Sequence, residues 1–325
     1  MKIKAVGRQE EGGGYYRIRQ PLGELAKHGH DVTIAAARSD VFGGGAEVVV
    51  GQMIGGKHFP TVIHHWWRQL AKHSKLVYEL DDDPFEVEAH NPAYGAYSGP
   101  VSHDSLTHCI QISDLVTVST EPLADRMRKL NPNVVVLQNR IDEHMLEIQR
   151  TRREKLTIGW SGSNSHAEDI KVGAYGLRKT LDRNPDVEAH FIGADYRPLI
   201  GRPMRHTGWC TKTVDFYKLI DFDIGLAPMA PTVFAETKSH IRALEYAALG
   251  IPVIASDVAP YRDFVIDGVT GFLVRRDHEW ATRLRELVND EALRTSMGQK
   301  AKEVAAEYTI QKGWPEWEAC YASLL

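Results

Sequence analysis

The residues best suited to chemistry lie thickest between Glu236 and Asp257, in the run ETKSHIRALEYAALGIPVIASD. Lys238, Arg242, Glu245 and Leu249 recur at helical spacing and share one stripe, while Ile241, Leu244, Ala247, Ala248 and Ile251 mostly occupy another. Gly250 and Pro252 stop this helix, and the small, apolar run 252–256 reads as a parallel strand covered on both faces. Two cations and a carboxylate at a helix start, just ahead of a buried strand, suit a phosphorylated, hydroxyl-rich ligand. Lys238-Ser239-His240 would be the start that meets the phosphate, with Arg242 beside it. Mutual pairing on a solvated helix face is the other reading of the same charges.

Two more clusters carry a similar promise. Trp160-Ser161-Gly162-Ser163-Asn164-Ser165-His166 falls between an expected strand and helix, where small residues expose backbone N–H groups to a phosphate. Strand 75–80 delivers Asp81-Asp82-Asp83-Pro84 to its carboxyl end, the side on which open α/β sheets collect ligands. Asp81 or Asp82 would orient or deprotonate an acceptor hydroxyl or hold a basic group, and a divalent ion held by Asp81 and Asp83 is the alternative. Turn and capping chemistry is the preferred reading for Asp83. Near the amino end, Gly12, Gly13 and Gly14 let backbone approach a ligand. Arg17 just beyond them faces that ligand or lies on the surface of an amphipathic helix. A long stretch, 85–102, offers Tyr94 and Tyr97 for stacking on a sugar, and His103 and His108 follow it.

The elements that must position these groups alternate regularly. The first half reads as strand 3–6, helix 15–28, strands 32–36 and 46–50, helix 59–72, strand 75–80, strand 115–119, helix 122–130 and strand 134–137. Helix 59–72 gathers Phe59, Ile63, Trp66, Trp67 and Leu70 on one face, a core stripe in preference to a basic helix lying on an anionic membrane. A polar stretch, 142–154, separates this half from a second alternation. That one has strand 156–160, helix 166–182, strands 187–192 and 204–207, helix 214–220 and strand 224–227. A loop, 230–235, should carry residues 232–236 toward the ligand, and final elements follow at 258–266, 279–287 and 291–308. Two strand-helix runs of similar size imply two Rossmann-like domains with a cleft between them.

Composition narrows the function. The 325 residues are 43% hydrophobic and 25% charged, ordinary for globular domains. Residues 1–150 carry 16 Lys and Arg against 19 Asp and Glu, and the remainder 23 against 24, so neither half has the cationic excess of a nucleic-acid binder. Cys109, Cys210 and Cys320 are widely spaced and odd in number, as expected of reduced thiols in a cytoplasmic protein. Residues 1–6 run straight into a strand, so no signal peptide is expected, and no run approaches the roughly 20 apolar residues that span a bilayer. Any membrane would be touched peripherally. Gly7 is followed by Arg8-Gln9-Glu10-Glu11, which is not the dinucleotide fingerprint, so a nicotinamide enzyme is poorly supported.

Several of these motifs together resemble a known family. Glu245, Gly250-Ile251-Pro252-Val253-Ile254-Ala255-Ser256 and Asp267-Gly268-Val269-Thr270-Gly271-Phe272-Leu273-Val274 look like the donor-site signature of retaining nucleotide-sugar glycosyltransferases with the GT-B fold, the broad family that includes sucrose and glycogen synthases, and within it of the group 1 (family 4) type. Gly159, Trp160, Gly162, Ser163, His166 and Asp169 resemble the family's phosphate loop, Gly225-Leu226-Ala227-Pro228-Met229 a strand end ahead of the signature, and Gln138-Asn139-Arg140-Ile141-Asp142 its interdomain hinge. The signature usually has a second Glu eight positions before the first. Thr237 stands there, with Glu236 one place off, so the sugar-contacting role is open between those two.

The resemblance implies an α/β protein of GT-B type, two Rossmann-like parallel-sheet domains facing across a cleft. Residues 1–142 would form an acceptor domain and 155–307 a donor domain, with a tail helix, 308–325, carrying Trp314, Trp317 and Tyr321 back to the first. It further implies transfer from a UDP or GDP sugar, with retention, without metal and with no cofactor beyond the co-substrate. Glu245 would bind ribose hydroxyls, Lys238, Ser239, His240, Arg242 and the Gly162-Ser163 loop the diphosphate, and His103 or His108 the sugar. The acceptor, a glycan, lipid, protein or modified nucleic acid, is not legible. A metal-dependent GT-A-like transferase, a non-enzymatic nucleotide-sugar binding protein and a GT-B epimerase are the alternatives.

Overall fold

The computed structural model describes residues 1–7, 12–35, 45–57, 60–151 and 153–325. Residues 8–11 of the glycine loop, Ala36 at the end of the second expected strand and Phe59 at the start of the tryptophan-bearing helix lie outside the described residues. The chain divides into two compact units, one of Met1–Arg140, Thr237–Ser239 and Ile310–Leu325, the other of Ile141–Glu236 and His240–Thr309.

Unit 1 is built on strands β1 (Lys2–Val6), β2 (Asp31–Ala35), β3 (Val48–Gln52), β4 (Lys75–Leu80), β5 (Leu115–Val118) and β6 (Val134–Val136), in the order β2-β1-β3-β4-β5-β6. Every pairing is parallel. Such a sheet needs cover on both faces, which is why its central strands are nearly all apolar. Ile3, Ala5, Val48, Val50 and Val77 pack with Leu22 and Leu25 of helix α1 (Gln20–Lys27) and with Trp317 and Tyr321 of the C-terminal helix Ile310–Ala322. Residues of alternate parity, Val49, Leu76, Tyr78 and Leu80, pack the other way, against Trp66 and Trp67 of α2 (Pro60–Leu70) and Ile110 of α3 (Pro100–Gln111). The α2 tryptophans therefore face the sheet, and Trp67 donates its Nε1–H to Ser113 Oγ at 3.0 Å. That overturns the membrane-lying reading of this helix. Among the described residues no helix is long and apolar enough to cross a membrane.

Two stretches of unit 1 differ from expectation. The region 85–102 is not wholly irregular, for it holds a short helix, Tyr94–Tyr97, and the start of α3 at Pro100. The first helical run begins at Gly12–Gly14 and passes through a wide π-helical turn, Tyr15–Arg19, before α1. Such a turn re-aims side chains. Here it accompanies an Arg17 with no exposure at all, whose Nε lies 2.6 Å and Nη2 3.2 Å from the two oxygens of Glu79 on β4. The Arg17 guanidinium also donates to Leu137 O and Asn139 Oδ1 and sits 5.8 Å from the Trp317 ring centre. Thr117 Oγ1 donates to Glu79.

Unit 2 repeats the plan with β7 (Thr157–Gly162), β8 (Glu188–Gly193), β9 (Arg205–Thr207), β10 (Ile224–Ala227), β11 (Val253–Ser256) and β12 (Gly271–Val274), ordered β12-β11-β10-β7-β8-β9 and all parallel. Strand β12 is absent from the expected elements, because four residues behind the Asp267-Gly268 turn show no period of their own. Helix Ala167–Arg183 is cradled by Trp280 of helix Asp277–Asn289, so closely that a Cβ on Gly176 would overlap the Trp280 Cβ.

The single helix expected across residues 236–249 is two, Val233–Thr237 and Ile241–Ala248. An uninterrupted helix would give the Thr237 carbonyl to the N–H at 241, but here it accepts from Thr120 Oγ1 at 2.7 Å. Lys238 consequently stands before the second helix and does not share a stripe with Arg242 and Glu245. The loop expected at 230–235 is likewise helical from Val233.

The Arg17–Glu79 pair yields a stability prediction. Removing one member strands a buried charge, so Arg17→Met should destabilise the protein by about 3–5 kcal/mol. The double variant Arg17→Met with Glu79→Leu should regain most of that loss. Urea midpoints of the three proteins check it, and a double variant as weak as the single would refute the assignment.

Candidate functional site

In unit 2 the strand order reverses between β7 and β10, and ligands of open α/β sheets bind outside the carboxyl ends at such a point. Strand β7 ends there in Gly162, where a Cβ would stand 2.7 Å from Arg242 Nη2 and 2.6 Å from Trp160 Cζ2. Only glycine lets the guanidinium lie against the strand end. Arg242 stacks on Trp160, its Cζ 5.2 Å from the ring centre, and its Nη2 is 3.0 Å from His166 Nε2. Because a guanidinium only donates, Nε2 must accept, and the His166 proton sits on Nδ1, 2.6 Å from Asp169 Oδ2. Asp169 Oδ1 in turn accepts the Ala230 N–H at 2.8 Å, tying the β7 loop to the chain that leaves β10. Burial works to raise the Asp169 carboxyl, but the His166 hydrogen bond and charge, the Ala230 N–H and Arg242 hold it below its ordinary value.

One atom in this cluster is left over. Among the described residues Arg242 Nη1 is buried with no hydrogen-bond partner. A guanidinium nitrogen left over in this way can donate to an anion. In the loop after β7 the Ser163 and Ser165 hydroxyls lie 2.9 Å apart, and Tyr196 OH pins the loop by accepting the His166 N–H at 3.0 Å and donating to Ser163 O at 3.3 Å. Glu245 lies one turn beyond Arg242 on the same helix and is 9% exposed. Tyr246 anchors that helix: its ring fills the space over Gly225, and its hydroxyl accepts the Ser161 N–H at 2.9 Å.

Three residues expected at the ligand have other tasks. Trp160 has no exposure and packs between Phe191, Tyr196 and His166, so it backs Arg242 and does not itself line the site. His240 is buried, its imidazole stacked 4.8 Å from Phe264 and edge-on to Tyr308, which removes it from the diphosphate. Glu236 accepts the Ala259 N–H at 3.0 Å and thereby caps the helix Ala259–Arg262.

Unit 1 gathers its polar groups at the carboxyl ends of β4 and β5. Asp81 lies against Gly13, where a Cβ would come 2.5 Å from Asp81 Oδ2, and Gly14 is buried beside it. Asn139 Nδ2 donates to Asp81 Oδ1 at 3.0 Å and to Ser239 Oγ at 2.7 Å, while Ser119 Oγ donates to Asp81 O at 2.9 Å. Burial and the charge of Asp82 raise the Asp81 carboxyl above its ordinary value, against the pull of Arg17, Asn139 and Lys238. Lys238 Nζ bridges both oxygens of Asp82, at 3.1 and 3.2 Å. Arg17, expected at the ligand, is a core residue instead, because Glu79 claims it. Asp83 is held by Arg126 and by the Phe85 N–H at 2.9 Å, the turn chemistry expected of it. His103 stands edge-on to Phe85 at 5.3 Å and so beside this turn, whereas His108 packs 4.2 Å from His64 of α2. Burial, His64 and Arg68 lower the His108 pKa. Among the described residues no three His, Cys, Asp or Glu side chains form a metal-ligand set. Asn139, noticed in the sequence only for its place in a hinge-like motif, proves to be the residue that joins Arg17, Asp81 and Ser239.

Residues 241–304 match the family model of glycosyl transferases group 1. The capsular polysaccharide biosynthesis glycosyltransferase CapM of Staphylococcus aureus is 35% identical over 86 residues, 26% of this chain and 23% of that one. A D-inositol 3-phosphate glycosyltransferase of Corynebacterium aurimucosum is 34% identical over 85 residues, 26% of this chain and 20% of its own length. The chain thus spans between a fifth and a quarter of the curated relatives it matches. Among solved structures, sucrose-phosphate synthase from Thermosynechococcus elongatus superposes with a TM-score of 0.71 at 14% identity, over 99% of this chain and 98% of that one. HepE of Anabaena in complex with UDP gives 0.70 at 13% identity, over 99% and 100%. The two six-stranded parallel sheets with flanking helices are the GT-B fold.

The buried His240 carries a pH prediction. Burial lowers its imidazole to about 4, from an ordinary 6.5. Between those values the unfolded chain binds a proton that the folded one refuses, so stability rises with pH across that window and is lost as pH falls. The contribution is on the order of 3 kcal/mol. His240→Phe keeps the stacking and should flatten urea stability between pH 6.5 and 4 relative to the parent; an unchanged slope would refute it.

Proposed function

We propose that this chain, a GT-B protein whose residues 241–304 form a glycosyl transferases group 1 domain, is a glycosyltransferase that moves a sugar from a nucleoside diphosphate sugar to an acceptor hydroxyl. The observation that carries the reading is the Arg242 guanidinium at the strand-order reversal of unit 2, its Nη2 against Gly162 and its buried Nη1 with no partner among the described residues. As the glycosidic bond breaks, negative charge grows on the leaving diphosphate. A preset, half-buried guanidinium and the small-residue loop after β7 lower the energy of that state more than of the bound donor. Glu245, one turn on, accepts hydrogen bonds from the ribose hydroxyls. Lys238 is a further diphosphate ligand once released from Asp82, and Thr237 the residue nearest the sugar.

Arg242 supplies the positive charge that a divalent ion supplies in metal-dependent transferases, and no resident cofactor enters the scheme. The Asp81 and Asp82 carboxylates serve the acceptor hydroxyl. A uridine diphosphate sugar is the first donor to test, since HepE is described in complex with UDP-glucose and a pneumococcal O-GlcNAc transferase with UDP and GlcNAc. A glycan is the first acceptor class, by analogy with the capsular polysaccharide relative and with the TarM mutant described with fondaparinux and UDP. Retention at the anomeric carbon follows from the family resemblance. Free Cys109, Cys210 and Cys320 fit a reducing, cytoplasmic location.

Calorimetry with UDP and GDP tests the donor site. Arg242→Ala and Glu245→Ala should each weaken nucleotide binding about 30- to 100-fold, the loss expected for a charge-assisted contact. Turnover should persist in chelator. Wild-type affinity in both variants would sink the proposed site, and binding without even slow donor hydrolysis would favour a nucleotide-sugar binding protein instead.

A further inference from the structure

Asn139 has no exposure, yet every hydrogen-bonding atom of its amide is engaged. Its Oδ1 accepts from Arg17 Nη1 at 3.0 Å, and its Nδ2 donates to Asp81 Oδ1 at 3.0 Å and Ser239 Oγ at 2.7 Å. Such amides can be flipped in principle, but here chemistry permits one orientation. Arg17 is a pure donor, and it is itself fixed by Glu79 at 2.6 and 3.2 Å and by Leu137 O. The oxygen of Asn139 must therefore face Arg17, and its N–H groups must face Asp81. Glu79, Arg17 and Asn139 form a rigid chain that ends on one oxygen of Asp81.

The other oxygen is treated differently. Asp81 Oδ2 lies beside Gly13, where a Cβ would approach to 2.5 Å. We propose that Asn139 is a positioning residue for Asp81: by occupying Oδ1 it fixes the carboxylate so that Oδ2, beside the bare glycine turn, accepts the hydrogen bond of the acceptor hydroxyl. The inference rests on the glycosyltransferase reading. A carboxylate displaced by about 1 Å orients its partner poorly, at a cost of about 100-fold in rate. The Arg17 contact explains why an amide serves at 139, since one residue must accept from a cation and donate to a carboxylate at once.

A swap separates positioning from mere packing. Asn139→Asp sets two carboxylates against each other and should lower both the melting temperature and turnover. Asp81→Asn combined with Asn139→Asp restores an N–H facing an oxygen, with the carboxylate introduced at position 139 still accepting from Arg17. The swapped protein should regain most of the melting temperature and the UDP affinity of the parent, yet release sugar from UDP-glucose, UDP-N-acetylglucosamine or GDP-mannose about 100-fold more slowly. A swap that restores turnover would reduce Asp81 to a structural role and overturn the proposal, as would a swap that leaves stability unrepaired. Asn139→Ala should lower turnover with UDP affinity unchanged; parental turnover in that variant would also overturn it. Should the parent itself release sugar from none of these donors, the glycosyltransferase reading fails first.

Discussion

A parallel sheet buried on both faces leaves chemistry only one place to go. Its strands must be apolar nearly throughout, as Val48–Gln52, Ile224–Ala227 and Val253–Ser256 are, so polar groups collect where the strands run out. In unit 1 that edge holds Asp81, Asp82 and Ser119, immediately beyond β4 and β5. In unit 2 it holds Gly162, His166 and Asp169 beyond β7 and Ala230 beyond β10. The same restriction that makes the core simple makes the sites local.

Within each edge an arginine sets the direction of everything around it. A guanidinium has donors and no acceptor, so every neighbour it touches has its own polarity decided. Arg242 turns His166 into an acceptor on Nε2, which directs the Nδ1 proton to Asp169 and leaves Asp169 one oxygen for the Ala230 N–H. Arg17 does the same to Asn139, with Asp81 as the end of the line. The difference lies in what each arginine lacks. Arg17 is matched by Glu79 and is finished, a core ion pair, whereas Arg242 keeps a buried nitrogen with no partner among the described residues.

Much of this was legible in the sequence where the signal is local. Strand β10 has the expected bounds, and the tryptophan stripe of α2 packs on the sheet as its spacing requires. The Gly162–His166 loop falls where small residues between strand and helix predicted it. What was not legible depends on partners far along the chain. Nothing near Arg17 marks it as buried, because Glu79 is 62 residues away. The helix break after Thr237 has no proline or glycine to announce it; the hydroxyl that takes the Thr237 carbonyl comes from Thr120, 117 residues distant. Propensity could not see Lys238 leave the stripe of Arg242, nor Trp160 and His240 turn inward.

At Gly13 and Gly162 glycine is used for room more than for conformation. Gly201, Gly250 and Gly268 have positive φ, at 65°, 68° and 74°, where side chains are strained. Gly13 and Gly162 are not among the positive-φ residues, so an alanine could take either backbone. What excludes it is the neighbour: Asp81 Oδ2 at 2.5 Å in one case, Trp160 Cζ2 at 2.6 Å and Arg242 Nη2 at 2.7 Å in the other. At each edge the missing side chain is what allows a charged group to sit against the backbone. A methyl at either position would have to displace its neighbour, so each of these two glycines is set by what packs against it and not by its own backbone angles.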